Sequence, residues 1–398
     1  MTCTRGETHR ADSSGTLAAS NLLLVDRTPS TRATMPEPDA GVVAAAATGD
    51  ERSFAELVEP YRGELHAHCY RMLGSVYDAD DALQETLLRA WRGLAGFQGR
   101  SSLRSWLYTI ATNACLTQIS RRPKRVLPID YGPAADPHDA PGVPIVESVW
   151  LEPYPDETIE LADGLAAPEA QYEQREGVEL AFVAALQHLA PNQRVVLILR
   201  EVLGFSAKET AAMLETTVAS VNSAMQRARA AVDERVPAQS QQATLRTLGD
   251  DGLRELVDRY VDAWERCDVD AFAALLAEDA TFAMPPLATW YRTRDGISTW
   301  ASGYPLSGAW RWRTVLTRAN GQPALAFYAW DEEGQAYLPF ALNVLSLRGG
   351  EVSDVTAFIV RSTDAPEPEA YTRLPEQPMD ARRLTGTFGR FGLPDRLV

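Results

Sequence analysis

Residues 78–91 read DADDALQETLLRAW, and this stretch sets the fold of the first part of the chain. Leu83, Leu87 and Trp91 recur at intervals of four residues, so a helix would place them on one apolar stripe facing a core. The opposite side would carry a compact polar surface, the acidic face, formed by Asp80, Asp81, Gln84 and Glu85. Core packing explains the stripe but gives no reason for the acidic face.

Length and composition restrict the class of protein. A chain of 398 residues is expected to form two or three domains. The sequence has no run of about 18 apolar residues, so it predicts no transmembrane helix. The four cysteines lie far apart without a CxxC pair, at positions 3, 69, 115 and 267. This usage predicts neither a disulfide framework nor a metal site, and it favours a cytoplasmic protein.

Charge is distributed unevenly along the chain. The net charge of −16 argues at first sight against nucleic acid as a partner. Residues 82–125, however, carry eight Arg or Lys residues against one acid, which gives a local charge of +7. Residues 126–177 carry twelve acids against one base, a local charge of −11. The basic block is therefore followed at once by an acidic block, which can shield it.

Periodicity and composition divide the chain into segments. Two segments have a helical period, one is rich in Pro and acids, and the ends are irregular. The N-terminal segment is predicted to be disordered, and Met35 is an alternative site for the start of translation. The C-terminal tail is predicted to be extended. In chain order, the predicted segments are 1–49 (disordered), 50–125 (helical), 126–170 (acidic linker), 171–237 (helical), 250–362 (mixed) and 363–398 (tail).

The second helical segment has the spacing of a helix-turn-helix. A short helix over 207–214 is followed by a tight turn at 215–218 and a helix over 219–232. Val221 and Met225 are predicted to face inward. The outward polar residues form a second surface, the recognition face, which consists of Ser220, Asn222, Ser223, Gln226, Arg227 and Arg229.

Residues 250–362 predict an α+β domain. An amphipathic helical period runs from Leu253 to Trp264, and strand patterns dominate after Leu276. The pair Asn320-Gly321 interrupts one of these patterns and is a strong hairpin signal. Helices followed by a curved antiparallel sheet complete the expected architecture, a multidomain chain with two all-α domains and one α+β domain.

These motifs resemble the sigma-70 family, specifically the extracytoplasmic-function (ECF) sigma factors. The stretches DADDALQETLLRAW, FQG, WLYTIATNACL and RR resemble sigma region 2, and residues 178–236 resemble region 4. Residues 253–297, with the elements MPP, WY and RDGI, resemble the SnoaL-like (nuclear-transport-factor-2-like) fold, a cone of helices and curved sheet around a pocket. The resemblance implies a helical bundle, a helix-turn-helix and a SnoaL-like cone.

The resemblance also implies roles for the polar residues. The acidic face would bind a basic coiled coil of core RNA polymerase, and the recognition face would lie in the major groove of the −35 promoter element. The helix after Ser102 would open the −10 element, with aromatic rings stacking on bases, an amide reading a base edge and basic residues holding phosphates. These −10 candidates are Phe97, Arg100, Arg104, Trp106, Tyr108, Asn113, Arg121 and Arg122, with Lys124 and Arg125 as further phosphate ligands.

Each of these roles has a structural alternative. Trp106 and Tyr108 can belong to the core, as aromatic residues of helices commonly do. The acidic face can be a solvated surface near a helix N-terminus, and the recognition face can be solvated as well. The acidic linker can thread the basic channels of the polymerase, shield the Arg-rich helix or simply be solvated.

The pocket of the C-terminal domain is expected to be mostly apolar. Its candidate residues are Trp264, Met284, Trp290, Tyr291, Trp300 and Asp354. No histidine follows His188, and one aspartate gives weak support for acid–base chemistry. We therefore expect ligand sensing or intramolecular packing, with no enzymatic activity and no cofactor.

Three hypotheses follow. The first is a sigma factor that binds core polymerase and promoter DNA, with a C-terminal domain that packs on region 2 or the linker and regulates activity. The second is a SnoaL-like isomerase or cyclase fused to a DNA-binding module. The third is a transcription factor that binds promoters without polymerase. No membrane partner is expected, and the sequence specifies no promoter, inducing signal or anti-sigma partner.

Overall fold

The computed structural model describes residues 39–139, 141, 142, 145, 149–160, 175–361 and 379–398. The region 2 segment contains four helices, α1 (Ala40–Ala47), α2 (Glu51–Leu73), α3 (Val76–Gly93) and α4 (Leu103–Ile119). Asp50, Ser75 and Ser102 cap α2, α3 and α4 with side-chain hydrogen bonds to backbone N–H groups. Leu65 and Leu107 are fully buried in the common core of these helices.

Helix α1 corrects the prediction of a disordered N-terminal segment for residues 40–47, whereas residues 1–38 lie outside the described part. Asp39 accepts a hydrogen bond from the Gly41 N–H at 2.7 Å, and Ala46 is buried against the bundle. The segment is rich in alanine, the best helix former, and packing supplies the stability that so short a helix lacks alone.

The linker and the region 4 segment follow. The linker contains the short helices α5 (Pro128–Tyr131) and α6 (Asp156–Glu160), and Trp150, Leu151 and Tyr154 between them are buried. The region 4 helices are α7 (Leu180–Gln187), α8 (Pro191–Leu197, continued by a π-helical turn), α9 (Ala207–Met213) and α10 (Val218–Asp233). Ser206 and Glu209 form a capping box on α9, so the predicted helix-turn-helix is confirmed.

The C-terminal domain combines helices with one sheet. Its elements are α11 (Gln241–Glu265, kinked at Gly249), α12 (Val269–Ala273), β1 (Leu276–Ala283), β2 (Trp290–Arg292), α13 (Arg294–Gly303), β3 (Trp312–Ala319), β4 (Gln322–Asp331), β5 (Ala336–Arg348) and β6 (Glu351–Ile359). The strand order is β2-β1-β6-β5-β4-β3. All pairs are antiparallel except β1–β6, a parallel pair that the purely antiparallel prediction missed. The predicted α+β class is confirmed.

The C-terminal tail is not extended where it is described. Ala381–Thr387 form α14, which Asp380 caps, and a 3₁₀ turn follows at Gly389–Phe391. Phe388 is fully buried, and the Tyr328 hydroxyl group of β4 donates to the Pro394 carbonyl at 3.0 Å. Residues 362–378 lie outside the described residues. These tertiary contacts give order to a segment whose prolines predicted an extended chain.

Candidate polymerase and DNA interfaces

The acidic face lies on α3 as the periodicity predicts. Asp81 and Gln84 are exposed, and the side chains of Asp80 and Glu85 are 44% and 45% exposed. Glu85 pairs with Arg89 one turn later at 2.6 Å. The face is therefore accessible at Asp81, Gln84 and Glu85, while Asp80 has partners of its own.

Asp80 lies between the bundle and the C-terminal tail. Its Oδ1 is 3.1 Å from His66 Nε2, and its Oδ2 pairs with the guanidinium group of Arg390. Burial alone would raise the pKa of the Asp80 carboxyl group, but the hydrogen bonds from His66 and Arg390 outweigh it and lower that pKa. The tail thus satisfies one carboxylate of the acidic face.

Tyr77 forms the rest of this contact. The guanidinium groups of Arg382 and Arg390 each lie 4.9 Å from the centre of its ring, and the Tyr77 hydroxyl group donates to the Arg382 carbonyl. Gly386 packs so closely that a Cβ atom there would lie 2.5 Å from the Tyr77 oxygen. The close approach requires glycine at this position of α14. Sequence reasoning missed the contact because the tail carries no periodic pattern.

The −10 candidates separate into exposed and engaged residues. Arg100, Asn113 and Arg121 are exposed. Phe97 and Trp106 are half-buried and pack against each other with ring centres 5.1 Å apart, so they form an aromatic pair at the start of α4. These five residues remain available for contact with DNA.

Tyr108 and Arg104 do not fit their predicted roles. Tyr108 is fully buried, with ring centres 5.2 Å from His68 and 5.4 Å from Phe205. Arg104 donates to Glu64 at 3.0 Å, and its guanidinium group lies 4.9 Å from the Tyr108 ring centre. The stacking prediction for Tyr108 and the phosphate prediction for Arg104 are therefore corrected, because core packing and an ion pair occupy both side chains.

Buried Asp78 engages two more of the basic candidates. Arg125 is only 6% exposed and donates to Asp78 at 2.6 Å and to the Trp150 carbonyl at 2.8 Å. Arg122 also pairs with Asp78. Lys124 lies 2.8 Å from His188 Nδ1 of the region 4 segment. The phosphate role predicted for Arg125 is corrected, and Arg122 and Lys124 have protein partners in this structure.

The recognition face is exposed along α10. All of its six residues are exposed, and Val221 and Met225 are buried on the opposite side, as predicted. Arg229 pairs with Glu201 of the preceding π-helical turn. Arg227 is thus the basic residue of this face that is better placed to reach DNA.

Arg194 connects the region 4 segment to region 2 by a hydrogen bond. Its side chain is buried and donates to the Met72 carbonyl near the end of α2 at 2.5 Å and to Gln187 Oε1 at 2.7 Å. Burial lowers the pKa of Arg194 to about 10. The guanidinium group therefore caps, from another domain, the Met72 carbonyl near the C-terminal end of α2, where helix carbonyls lack partners within the helix.

The Asn320-Gly321 turn joins three parts of the chain. The Asn320 Nδ2 group donates to the Tyr70 hydroxyl group of α2 and to the Val178 carbonyl, both at 2.8 Å. Asn320 Oδ1 accepts from the Tyr154 N–H of the linker at 2.9 Å. The hairpin signal was correct, but its burial between domains was not predicted. The aromatic stretch VWLEPYPD in the linker was the available signal.

A second junction lies at the start of α11. Glu179 Oε1 accepts from the Gln242 N–H at 2.9 Å, and Glu176 accepts from the Ser240 hydroxyl group at 2.8 Å. Burial raises the pKa of Glu179 to about 8, although hydrogen bonds from the N–H groups of Gln241 and Gln242 oppose the shift. The region 4 segment and the C-terminal domain thus share a buried carboxyl group.

The cone encloses a small apolar cavity of about 50 Å³. Trp264, Met284 and Trp300 line it as predicted, together with Pro141, Phe282, Tyr304, Pro305, Trp310, Trp312, Phe327, Phe340, Ala341, Asn343, Ala357 and Ile359. None of these lining residues bears an ionisable carboxyl, imidazole or amino group.

Three predicted pocket residues lie elsewhere. Trp290 donates from Nε1 to the Gly132 carbonyl of the linker at 2.8 Å. Tyr291 stacks behind Trp300 with ring centres 4.8 Å apart. Asp354 accepts from Thr281 on the neighbouring strand at 2.7 Å, outside the cavity. The pocket assignment of these residues is corrected, because strand alternation directs them away from the cavity or behind its wall.

The part of the chain that the structure describes contains neither a metal-binding cluster nor a membrane-spanning helix. No cluster of three His, Cys, Asp or Glu side chains there could hold a metal ion. No helix in the same ranges is long and apolar enough to span a bilayer.

Comparison with known proteins identifies the family. Family models match as Sigma-70 region 2 over residues 57–125, Sigma-70 region 4 over 179–232 and a SnoaL-like domain over 257–355. The ECF RNA polymerase sigma factor SigG of Mycobacterium tuberculosis strain H37Rv is 42% identical over 360 residues, which cover 87% of this chain and 86% of SigG. This chain belongs to the ECF RNA polymerase sigma factors. As a member of that family, it directs promoter-specific transcription initiation.

Other relatives of this ECF sigma factor agree with the assignment. The ECF sigma factor SigM of the same M. tuberculosis strain is 30% identical over 192 residues, which cover 48% of this chain and 81% of SigM. The crystal structure of M. tuberculosis SigJ matches 84% of this chain and 99% of its own, with a TM-score of 0.50 and 20% identity. SigJ thus has the same fold.

Proposed function

We propose that this ECF sigma factor binds core RNA polymerase through the acidic face and contacts the promoter with two further surfaces. The aromatic pair Phe97–Trp106 would stack on unpaired bases of the −10 element, while Asn113 reads a base edge and Arg100 and Arg121 hold phosphates. The recognition face would enter the major groove of the −35 element. The exposure of Arg100, Asn113, Arg121 and the recognition face supports the proposal, as does the half-buried position of the aromatic pair at the start of α4.

The C-terminal domain and tail would regulate this activity by holding the free protein closed. The observation that carries this proposal is the pairing of Arg390 with Asp80, because it puts the tail on the face proposed to bind polymerase. The junctions at Asn320 and Arg194 add contacts that keep region 4 and the linker against region 2. Polymerase would therefore compete with the tail for the acidic face.

Charge reversal of the acidic face tests the polymerase role. The triple substitution of Asp80, Asp81 and Glu85 by Lys should abolish binding to purified core polymerase, measured by fluorescence anisotropy. Reversal of Asp250, Glu255 and Asp258, three exposed acids on α11, is the matched control and should leave binding unchanged. Undiminished binding by the triple variant would contradict the proposal.

A second experiment separates this function from that of a polymerase-independent transcription factor. The closed structure and the net charge of −16 support weak DNA binding by the free protein. A gel shift with promoter DNA should show a complex only when core polymerase is present. A promoter complex without polymerase would favour the third hypothesis.

We infer that the C-terminal domain performs no catalysis. The cavity has no pair of titratable groups to donate and accept protons, and Asp354 lies outside it. The isomerase alternative therefore lacks a site, and no turnover of a ketosteroid is expected in a spectrophotometric assay. Because bacterial transcription takes place in the cytoplasm, the proposal places the protein there.

A further inference from the structure

We propose that the C-terminal cavity binds a small neutral aromatic molecule carrying a hydrogen-bond acceptor, and that this ligand displaces Pro141 of the sigma linker. The binding itself stands apart from the proposed function, whereas its regulatory consequence rests on that function. The argument begins with the chemistry of the cavity wall.

The wall favours an uncharged aromatic ligand. Four tryptophans and three phenylalanines line the cavity, and its other polar side chains are Tyr304 and Asn343. Aromatic walls bind flat rings through stacked and edge-to-face contacts. A charged ligand would lose its hydration without meeting an opposite charge among the lining residues.

Unpaired donors indicate the ligand's polar group. The indole N–H of Trp312 donates to the Pro305 carbonyl at 2.8 Å. The indole N–H groups of Trp264 and Trp300, which are each only 3% exposed, have no hydrogen-bond partner among the described residues. A buried donor without a partner is unfavourable, so a carbonyl or ether oxygen that reached either indole N–H would gain a hydrogen bond from a donor already in place.

The sigma linker closes the cavity. Pro141 is buried and is one of the lining residues, although it belongs to the segment between regions 2 and 4. Next to it, the Gly142 N–H donates to Thr289 Oγ1 at 2.8 Å, and the Ile145 N–H donates to the Pro286 carbonyl at 3.0 Å. The linker is thus attached to the rim of the cone on the side of Pro141.

The cavity is too small to hold both the ligand and the Pro141 ring. A cavity of about 50 Å³ holds only a few water molecules, so a ring-sized ligand needs the space of the Pro141 ring as well. Ligand entry would therefore move Pro141 out and weaken the neighbouring backbone hydrogen bonds. In the closed sigma factor, this would free the linker that polymerase has to accommodate.

Acetophenone is the probe for the full-length chain, because it joins a ring to one carbonyl group. α-Methylstyrene has nearly the same shape without the oxygen, and benzoate adds a charge. Titration calorimetry should show that acetophenone binds about threefold to tenfold more tightly than α-methylstyrene. This is the ratio of affinities expected for one neutral hydrogen bond. Benzoate should not bind. Equal affinities, or no binding of acetophenone, would overturn the ligand assignment.

Two variants locate the site. The combined substitution Trp264→Phe and Trp300→Phe keeps both rings but removes both donors, so it should abolish the preference for acetophenone over α-methylstyrene. Pro141→Gly should strengthen the binding of both compounds by about threefold or more, since it removes the competitor. Pro133→Gly, at an exposed linker position, should bind like the unaltered chain. An unchanged affinity in Pro141→Gly would contradict the displacement.

Hydrogen exchange tests the release of the linker. Saturating acetophenone should speed exchange in peptides containing Gly142 and Ile145 and leave those from α10 unchanged. Ligand binding without faster exchange would overturn the coupling. No polymerase is present in these experiments, so their failure is distinguishable from failure of the proposed polymerase interface.

Discussion

Asn320 of the β3–β4 hairpin donates a 2.8 Å hydrogen bond to the hydroxyl group of Tyr70 in α2, 250 residues earlier in the chain. Both residues are fully buried. Burial raises the pKa of Tyr70, so the hydroxyl group stays protonated and donates in turn to the Glu152 carbonyl at 2.8 Å. One amide side chain thus connects the C-terminal domain, region 2 and the linker.

Substitution of Asn320 should destabilise the folded chain. Asn320→Ala leaves the Tyr154 N–H and the Val178 carbonyl buried without this partner. It also places alanine at a positive φ of 57°, a backbone conformation that asparagine tolerates better than alanine does. We expect a loss of about 2–3 kcal/mol in the free energy of unfolding, measured by urea denaturation. Asn222→Ala, on the exposed recognition face, should change it by less than about 0.5 kcal/mol. Equal stabilities of the two variants would contradict the role of Asn320.

Removal of the tail contact should favour polymerase. Arg390→Glu replaces the Asp80 ion pair by repulsion and removes a cation from the Tyr77 ring, so the affinity for core polymerase should rise about threefold to fivefold. Anisotropy with labelled protein measures the dissociation constant. Arg396→Glu is the control of equal charge at an exposed tail position. A rise of the same size in both variants would indicate a net-charge effect instead of a competing contact.

Glu179 predicts a pH dependence. Its pKa is about 8 in the folded chain and ordinarily 4.5, so the folded state binds the proton more tightly than the unfolded state. The stabilisation is complete below about pH 4.5 and is lost as the pH rises through 8. The nearby carboxyl group of Glu176 acts in the same direction.

The variant Glu179→Gln should therefore show a smaller fall in unfolding free energy between pH 6 and 9 than the unaltered chain. Urea titrations at fixed ionic strength measure this slope. Glu215→Gln, at an exposed turn, should retain the full slope. The same slope in all three proteins would mean that Glu179 does not carry the dependence.

The two arginines of the recognition face should differ. Arg227 is exposed and Arg229 is held by Glu201, so Arg227→Ala should weaken promoter binding by the holoenzyme more than Arg229→Ala does. If Arg227 holds a phosphate, its loss should also lower the slope of log affinity against log salt by about one. Filter binding at several salt concentrations checks both results, and the reverse ranking would contradict the assignment.

Local patterns predicted the elements. The expected packing of the C-terminal domain on region 2 or the linker is found with both, through Asn320 and Trp290, but the individual residue contacts were missed. The helical period around Leu83, the turn before Val218 and the Asn320-Gly321 hairpin all depend on neighbouring residues, and each was correct. The burial of Tyr108, the partner of Asp80 and the helix at Ala381–Thr387 depend on residues far away in sequence. No periodicity in a single chain encodes such pairings, because they are set by tertiary packing.

The Arg194 guanidinium group on the Met72 carbonyl has a consequence for the cell. On the proposed function, a sigma factor whose regions 2 and 4 are held together would accumulate without binding DNA or displacing competitors from polymerase. Its abundance and its transcriptional output would then be separate quantities. Synthesis would build up an inactive pool, and the separation of regions 2 and 4 would set how quickly that pool becomes active.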